Sequence, residues 1–299
     1  MNIQLLSDLH LESNPCFKPR PQPGADVLVL AGDIGSYQEG SLLTRLGIDD
    51  FGLARFSPLS AAQGGAGWPT PVLFVPGNHE YDGLAFDEAD ARLREACGRL
   101  GLTWLERESV VLAGVRFVGC TLWTDFDALT ARRAGADPDG ASGVTLAEQL
   151  KAREKAFRAA NFYLKKNHAF RNGQPMLAEA VREEGLKSQA WLRHALAQPF
   201  DGPTVAVTHF APSLLSADPR YGITPGTAGF CNSLDDLLPL ATVWLHGHLH
   251  CPNDYPRHGC RVVANPLGYA RKGEQQGFQP AQCIAVPPKT GNPTCQTLN

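Results

Sequence analysis

Two kinds of segment are missing from this sequence: closely spaced cysteine pairs and long apolar runs. None of the 8 cysteines is paired as C-x-x-C, and the chain starts at Met1 without the basic and apolar regions of a signal peptide. We therefore expect free thiols and a cytoplasmic protein. No apolar run approaches the length of a membrane span, so we expect no membrane association.

A large excess of charge of one sign is missing as well. The 299 residues include 27 Lys and Arg against 30 Asp and Glu, for a formal net charge of −3. This balance argues against a protein dedicated to nonspecific DNA binding. With 43% hydrophobic residues, the chain has an ordinary globular composition and is long enough to bury a substantial core. We expect a single domain over residues 1–299.

What the sequence does contain is a recurring pattern, an apolar strand-like run followed by residues that can bind a metal ion. The runs are Ile3–Leu6, Val27–Leu30, Val72–Val75, Val205–Val207 and Val243–Leu245. The segments that follow them are Asp8-Leu9-His10, Gly32-Asp33, Gly77-Asn78-His79-Glu80, Thr208-His209 and Gly247-His248-Leu249-His250. Strands of an open α/β sheet present their carboxyl ends along one edge, where ligands bind. The pattern therefore predicts an α/β fold in which these polar side chains meet.

The side chains of these segments favour a particular class of metal ion. Carboxylates, imidazoles and one amide, without thiolates, suit Mn²⁺, Fe, Zn²⁺ or Ni²⁺ better than a soft metal. Each residue alone has an ordinary alternative. Asp8 and Asp33 could cap helices, and His248 and His250 could point to opposite faces of a strand. Metal binding is favoured because the alternative requires a separate structural explanation for the polar residues of each of the five segments.

The order D-x-H, G-D, G-N-H-E, H, G-H-x-H resembles the calcineurin-like metallophosphoesterase superfamily. The resemblance covers roughly residues 1–270 and is greatest to the small bacterial cytosolic members, which have segments similar to Gly77–Tyr81 and Asn265–Tyr269. The signatures of the serine/threonine phosphoprotein phosphatase branch are missing, because the chain reads Ser7-Asp8-Leu9-His10-Leu11 and Gly32-Asp33-Ile34-Gly35-Ser36 at those places. The resemblance implies a four-layer αββα sandwich.

The resemblance also implies a ligand set for two metal ions. One ion is expected to bind Asp8, His10, Asp33 and His250. We name these four residues the first ligand group. The other is expected to bind Asp33, Asn78, His209 and His248, the second ligand group. Asp33 would bridge the two ions, because a carboxylate has two oxygens. The expected cofactor is a pair of divalent or mixed-valence ions drawn from Mn, Fe, Zn, Ni and Co.

The implied chemistry is hydrolysis of a phosphate ester. A hydroxide that bridges the two metal ions would attack phosphorus in line with the leaving oxygen. The cations would neutralise the phosphoryl oxygens as charge develops. His79 is expected to donate a proton to the leaving oxygen or to stabilise its charge, and Asp33 is expected to be essential as the bridge. Glu80 is expected to orient the turn or start a helix, without a chemical role.

Other segments complete the predicted organisation. Residues 84–100 have the apolar periodicity of a helix, and 110–112 with 115–120 that of a hairpin. A helical insertion is predicted at about 128–200, near the metal site, with one helix marked by Leu146, Leu150, Phe157 and Leu164 and another over Gly185–Leu196. The polar stretch 287–299 is expected to be a flexible tail.

Candidate substrate contacts come from the insertion and from one loop. Seven basic residues lie between Lys151 and Arg171, and Lys165 and Lys166 could belong to a lid that attracts an anionic substrate. The alternative is a solvated helix face. Arg220 and Tyr221 are candidates for contacts to phosphate or the leaving group at the rim of the cleft.

The favoured function is that of a phosphodiesterase acting on small-molecule or nucleotide phosphoesters. A phosphomonoesterase is an alternative, and so is a nuclease, for which the basic insertion is the support. A metallophosphoesterase-like scaffold without activity is a third, disfavoured because such scaffolds usually lose ligands or the proton-donating histidine, and here both are present.

Overall fold

The computed structural model describes residues 1–65, 67–130, 145–166 and 169–287. The tail predicted at 287–299 lies outside the described residues apart from Pro287. Single-domain organisation therefore stays a prediction. No helix in these described ranges is both long enough and apolar enough to cross a membrane.

The first sheet contains the earliest apolar runs of the chain. Its strands are β1 (Asn2–Leu6), β2 (Val27–Ala31), β3 (Val72–Val75), β4 (Thr103–Trp104) and β13 (Cys283–Ala285), in the spatial order β13-β1-β2-β3-β4. Strands β1 to β4 pair in parallel, whereas β13 pairs antiparallel to β1. The parallel pairing places the carboxyl ends of β1, β2 and β3 at the same edge.

The second sheet collects the strands from the rest of the chain. They are β5 (Glu108–Leu112), β6 (Val115–Cys120), β9 (Thr204–Thr208), β10 (Val243–His246), β11 (Asn253–Arg257) and β12 (Cys260–Ala264), in the order β11-β12-β10-β9-β6-β5. Strands β6, β9, β10 and β12 are parallel neighbours. The predicted hairpin is the antiparallel pair β5 and β6. A short separate hairpin joins β7 (Phe170–Arg171) to β8 (Gln174–Pro175).

The described helices flank the sheets. They are α1 (Leu42–Arg45), α2 (Pro58–Ala62), α3 (Phe86–Leu100), α4 (Leu146–Leu164) and α5 (Ala178–Ala197). Short 3₁₀ turns occupy Leu53–Phe56, His79–Tyr81, Leu214–Ser216, Pro225–Gly229, Leu238–Leu240, Ala270–Lys272 and Glu274–Gly277. The predicted helix at 84–100 is α3, which begins two residues later, ends at Leu100 and is followed by Gly101 with a left-handed φ of 75°.

Three buried clusters show how the layers are held together. The cluster between the two sheets includes Leu5 and Val29 from the first and Val207 and Leu245 from the second. Alternate residues of the strands point outward, as the pleat requires. Those of the first sheet pack against α3, and those of the second against α5. The predicted four-layer αββα arrangement is therefore confirmed.

Helix α4 makes its buried apolar contacts in its second half. Thr145 and Glu148 form a capping box at its start. The buried positions are Ala156 and Ala160, with Phe157 and Leu164 partly buried beside them. Leu150, which also marked the predicted helix, is 50% exposed. The small alanines allow the second half of the helix to approach its neighbours closely.

Candidate metal centre

The five polar segments meet at the edge formed by the carboxyl ends of the strands. Asp8 and His10 follow β1, Asp33 follows β2, Asn78 follows β3, and the remaining histidines follow β9 and β10. Their donor atoms come together from both sheets. The predicted convergence is therefore observed, although the strands that supply it lie in two sheets.

The first ligand group is compact and deeply buried. Asp8, His10, Asp33 and His250 each offer one donor atom, and these atoms all lie within 4.8 Å of one another. Nε2 of His250 lies 3.5 Å from Oδ1 of Asp8 and 3.0 Å from Nε2 of His10. The first three side chains have no exposure to solvent. This geometry gives two carboxylates and two imidazoles around one point.

The second ligand group shares Asp33 with the first. Donor atoms of Asp33, His209 and His248 also lie within 4.8 Å of one another. Oδ2 of Asp33 is 3.2 Å from Nε2 of His209 and 3.9 Å from Nε2 of His10, and so lies between the two groups. Oδ1 of Asn78 is 3.2 Å from Nε2 of His209. All seven residues expected as ligands are therefore brought together.

Hydrogen bonds to the ring nitrogens that point away from the centre determine which nitrogens face it. Nδ1 of His10 donates to Glu12 at 2.9 Å, Nδ1 of His250 to Glu274 at 2.6 Å, and Nδ1 of His209 to the carbonyl of Ala31 at 2.9 Å. Because Nδ1 holds a proton in each, Nε2 carries a lone pair in the neutral ring. Such outer partners fix the orientation of metal-binding histidines.

The donor set fits positively charged ions. In the neutral form, Nε2 of His10 and Nε2 of His250 would point lone pairs at each other across 3.0 Å. This repulsion is relieved by a cation among them or by protons. Burial lowers the pKa of His209, but the charge of Asp33 raises it to about 9. Metal ions and protons therefore compete for these rings.

The backbone at the centre has an uncommon conformation. Five of the seven expected ligands have positive φ, namely Asp8 at 53°, His10 at 44°, Asp33 at 55°, His248 at 73° and His250 at 48°. Residues other than glycine seldom adopt this region, and such strain clusters at functional sites. The neighbouring glycines matter because a Cβ on Gly77 would lie 2.2 Å from Oδ1 of Asp33.

Glu80 holds the loops that follow β2 and β3 together. Its buried carboxylate accepts backbone N–H bonds from Asp33 at 3.0 Å, Ile34 at 2.5 Å, Gly35 at 3.2 Å and Gly77 at 2.6 Å. These contacts position Asp33. They agree with the expectation that Glu80 orients the turn.

His79 lies beside the first ligand group and has its own carboxylate partner. Its backbone N–H donates to Oδ1 of Asp33 at 2.8 Å, and Nδ1 of its ring lies 2.5 Å from Oδ2 of Asp82. Burial lowers the pKa of His79, but the charges of Asp82 and then Asp33 raise it to about 10. The ring centroid is 5.1 Å from that of His10. The imidazolium form is thus favoured where a leaving oxygen could be protonated.

A cavity of about 550 Å³ opens over both ligand groups. Its wall includes Asp33, His79, His248 and His250, and also the predicted Arg220 and Tyr221. Arg220 is held by Asp218, with Nε 2.8 Å from Oδ2, and its side chain is 51% exposed. Tyr221 is 72% exposed at the rim.

The two predicted lysine contacts are not at the cavity. Lys165 and Lys166 are exposed just beyond α4 and do not line the cavity, so their role as substrate contacts stays a prediction. Nζ of Lys166 instead lies 5.1 Å from the centroid of the Phe162 ring. Helix α4 reaches the cavity indirectly, because it packs behind the wall segment Pro225–Gly229. The alanine face of the helix packs there, whereas its lysines are exposed.

Three arginines of the insertion are paired with carboxylates. Nε of Arg153 is 2.7 Å from Asp127, and Arg158 is 2.8 Å from Glu154 one helical turn away. Arg171 bonds to Glu184 at 2.7 Å. These pairs reduce the charge that the insertion could offer to a polyanion.

Sequence reasoning missed four residues that shape the centre. They are Glu12, Asp82, Lys272 and Glu274. Glu12 and Asp82 lie two and three residues after a candidate histidine, so their spacing was a usable signal. Lys272 and Glu274 come from a distant turn, and local sequence gives no sign that this turn returns to the edge.

Comparisons with known proteins agree with the geometry. The sequence profile of the calcineurin-like phosphoesterase family matches residues 1–252. The crystal structure of phosphopantetheinyl hydrolase from Mycobacterium tuberculosis matches with a TM-score of 0.63 at 20% identity, covering 97% of this chain and 98% of that one. This likeness shows a shared fold.

Other comparisons add less. A dimetal phosphatase from Danio rerio matches with a TM-score of 0.42 at 15% identity, covering 90% of this chain and 88% of that one. No curated protein matches the sequence significantly.

Proposed function

Because this chain belongs to the calcineurin-like phosphoesterase family and is a metal-dependent phosphoesterase, we propose that its preferred substrates are phosphodiesters of small molecules or nucleotides. The proposal concerns the substrate class and the roles of individual residues.

The proposed ligands are the first and second ligand groups, joined by Asp33. When bound, two cations would activate a water for in-line attack on phosphorus and neutralise the phosphoryl oxygens. Oxygen and nitrogen donors are compatible with Mn, Fe, Zn, Ni or Co. The protein's contribution is to hold the donor atoms at the spacing described above, with Glu12, Glu274 and the Ala31 carbonyl fixing three of the rings.

His79 is the proposed proton donor to the leaving oxygen. Its Nδ1 is held by Asp82, so Nε2 is the nitrogen available to a substrate. Burial lowers the pKa of His79, but the neighbouring charge of Asp82 raises it and so favours the protonated ring. This suits a general acid and a stabiliser of negative charge, and not a general base.

The preference for diesters rests on the charge of the cavity wall. Outside the expected ligands and His79, its charged side chains are Asp218, Arg220, Lys272 and Glu274, two of each sign. Arg220 is already held by Asp218, and Nζ of Lys272 lies 4.0 Å from Glu274. The wall thus adds no net positive charge for a monoester dianion, whereas a diester carries a single negative charge and needs less neutralisation.

The nuclease alternative has less support than the phosphodiesterase. A nuclease needs a basic surface that follows the backbone of its substrate. Arg153, Arg158 and Arg171 of the insertion are paired with carboxylates, and Lys165 and Lys166 do not line the cavity. The phosphomonoesterase alternative remains an outcome of the test below.

The test compares bis-p-nitrophenyl phosphate with p-nitrophenyl phosphate. Metal-stripped protein is reloaded separately with Mn²⁺, Fe²⁺, Ni²⁺, Zn²⁺ or Co²⁺, and kcat/KM is measured for both esters. We expect a higher kcat/KM for the diester. A higher value for the monoester would overturn the proposed substrate class, and binding of two ions without turnover of either ester would favour the scaffold alternative.

Natural diesters follow as the second stage of the test. Cyclic and linear nucleotide diesters are the first choice. A phosphopantetheinyl diester belongs in the same panel, because the protein named phosphopantetheinyl hydrolase shares the fold over nearly the whole chain.

A further inference from the structure

A turn from the last quarter of the chain covers one side of the first ligand group. It runs over residues 267–274, beyond the segment 1–252 that the family profile matches. The backbone N–H of Gly268 donates to the carbonyl of Asp8 at 2.9 Å. The side-chain amide of Asn14 donates to the carbonyl of Gly268 at 2.9 Å. The turn is therefore fastened to the loop that carries Asp8 and His10.

Glu274 joins this turn to His250. One carboxylate oxygen, Oε2, accepts from Nδ1 of His250 at 2.6 Å and from the backbone N–H of Tyr269 at 2.8 Å. The side chains of His250 and Glu274 are only 13% and 11% exposed. The ring of Tyr269 stacks on His10 with centroids 4.2 Å apart. A single carboxylate thus fixes one histidine directly and holds the residue that covers the other.

The packing around this carboxylate leaves it little freedom. Gly268 has a φ of 69°, and a Cβ there would lie 2.7 Å from Cβ of Glu274 and 2.9 Å from its Oε2. Close approach of the turn therefore requires glycine at this position. The carboxylate is confined between Gly268 and His250.

The second ligand group has no equivalent arrangement. His209 donates from Nδ1 to a backbone carbonyl, that of Ala31. His248 directs Nδ1 toward His209, and its Nε2 has no hydrogen-bond partner within the described part of the chain. Among the described residues, carboxylates that are not themselves expected ligands contact the ligand rings in the first group, where Glu12 and Glu274 provide them.

We propose that Glu274 is a positioning residue that aims Nε2 of His250 at the cation of the first ligand group and selectively strengthens binding there. The proposal rests on the proposed ligand assignment. A carboxylate that accepts from the far nitrogen of a metal-bound imidazole orients the ring and increases its basicity, and loss of such a partner typically weakens metal binding by about 10–100-fold. The second group should be unaffected, because it does not contact Glu274.

The test measures the two metal-binding steps separately. Metal-stripped protein is titrated with Zn²⁺ against a competing chelator, and His10→Ala and Asn78→Ala identify which step belongs to the first and the second group. Glu274→Gln should weaken the first-group step about 10–100-fold and leave the other unchanged. Glu274→Ala should weaken it further, because glutamine still offers an acceptor oxygen to Nδ1. Glu95→Gln, on the exposed face of α3, is the matched control for loss of one negative charge.

The outcomes separate this inference from the proposed function. If the wild-type protein shows two Zn²⁺-binding steps and Glu274→Gln has the same affinity in both, the positioning role is overturned and the metal centre stands. Equal weakening of both steps would also overturn it, since that indicates a general structural effect. Failure of the wild-type protein to bind any Zn²⁺ would overturn the metal assignment itself, and the inference with it.

Discussion

Glu80→Gln is the substitution whose effect follows most directly from the structure. The carboxylate is fully buried, and its two oxygens accept four backbone N–H bonds. Oε1 accepts from Ile34 and Gly35, and Oε2 accepts from Asp33 and Gly77. A glutamine has the same shape but replaces one acceptor oxygen with an NH₂ group. Either orientation of the amide therefore leaves two buried N–H groups without an acceptor.

The cost can be estimated from these lost bonds. A buried donor left unsatisfied costs about 1–3 kcal/mol, so two of them give roughly 2–6 kcal/mol. This is a large part of the roughly 5–15 kcal/mol that keeps a typical domain folded. The loop that carries Asp33 should also lose definition, since the N–H of Asp33 is one of the four donors. Because Asp33 belongs to both ligand groups, both metal affinities should fall, in contrast to the selective effect expected for Glu274→Gln.

Urea unfolding of the metal-free protein measures the first effect, and Zn²⁺ titration against a chelator measures the second. Glu95→Gln provides the control, because it removes the same charge from an exposed position. Substitutions at such positions usually change stability by less than about 0.5 kcal/mol. If Glu80→Gln were as harmless as this control in both assays, the assigned role of the carboxylate as the fastener of the two loops would be refuted.

The other predictions concern the bridge, the proton donor and a buried carboxyl group remote from the metals. Asp33→Asn should lose bound metal, measured by atomic absorption after dialysis, together with activity, because a neutral amide cannot bridge two cations; full activity with two ions retained would contradict the assignment. His79→Ala should retain both ions but lower kcat most for esters with poor leaving groups, measured across a series of aryl phosphodiesters; an equal loss for all leaving groups would exclude a leaving-group role. Burial raises the pKa of Glu106 to about 7, although Thr121 donates to it from its N–H at 2.6 Å. Since the folded-state pKa lies above the unfolded value, the folded state binds more protons, and stability should fall as pH rises between about 4.5 and 7 by up to about 3 kcal/mol. Glu106→Gln should flatten that part of the pH dependence in urea unfolding of the metal-free protein, and an unchanged slope would show that the carboxyl is ionised in the folded state throughout this range.

The strands and the edge that they form could be predicted because their sequence signal is local. Runs such as Val27–Leu30 and Val72–Val75 are fully or almost fully buried in the structure, as a strand covered on both faces should be. Polar residues immediately after such runs must lie at the carboxyl edge. Parallel pairing of the strands then brings the expected ligands close together. The resemblance to a known family specified which residues these ligands are.

The parts that could not be predicted depend on contacts between distant segments. Glu274 reaches His250 only because the turn after β12 folds back over the loop after β1, and nothing in its neighbouring residues indicates that return. The position of Lys165 and Lys166 depended on which face of α4 packs. The helix was predicted from the larger side chains of Leu146, Leu150, Phe157 and Leu164, whereas its buried residues are Ala156 and Ala160. Periodicity identifies an amphipathic helix more reliably than it identifies the partner against which the helix packs.

Backbone strain at the ligands explains why local propensity is a poor guide at this site. Five expected ligands have left-handed φ values, where glycine would be favoured and other residues cost about 1 kcal/mol or more each. The strain is held by hydrogen bonds that involve the ligands themselves. The carboxylate of Asp8 accepts the backbone N–H of His248 at 2.9 Å, and Glu80 accepts that of Asp33. The substitution His10→Gly would relax the backbone, but it would also remove an imidazole that is expected to bind metal. If these residues bind metal as proposed, stability and metal binding oppose each other at these positions, because the conformation of the loops alone would favour glycine.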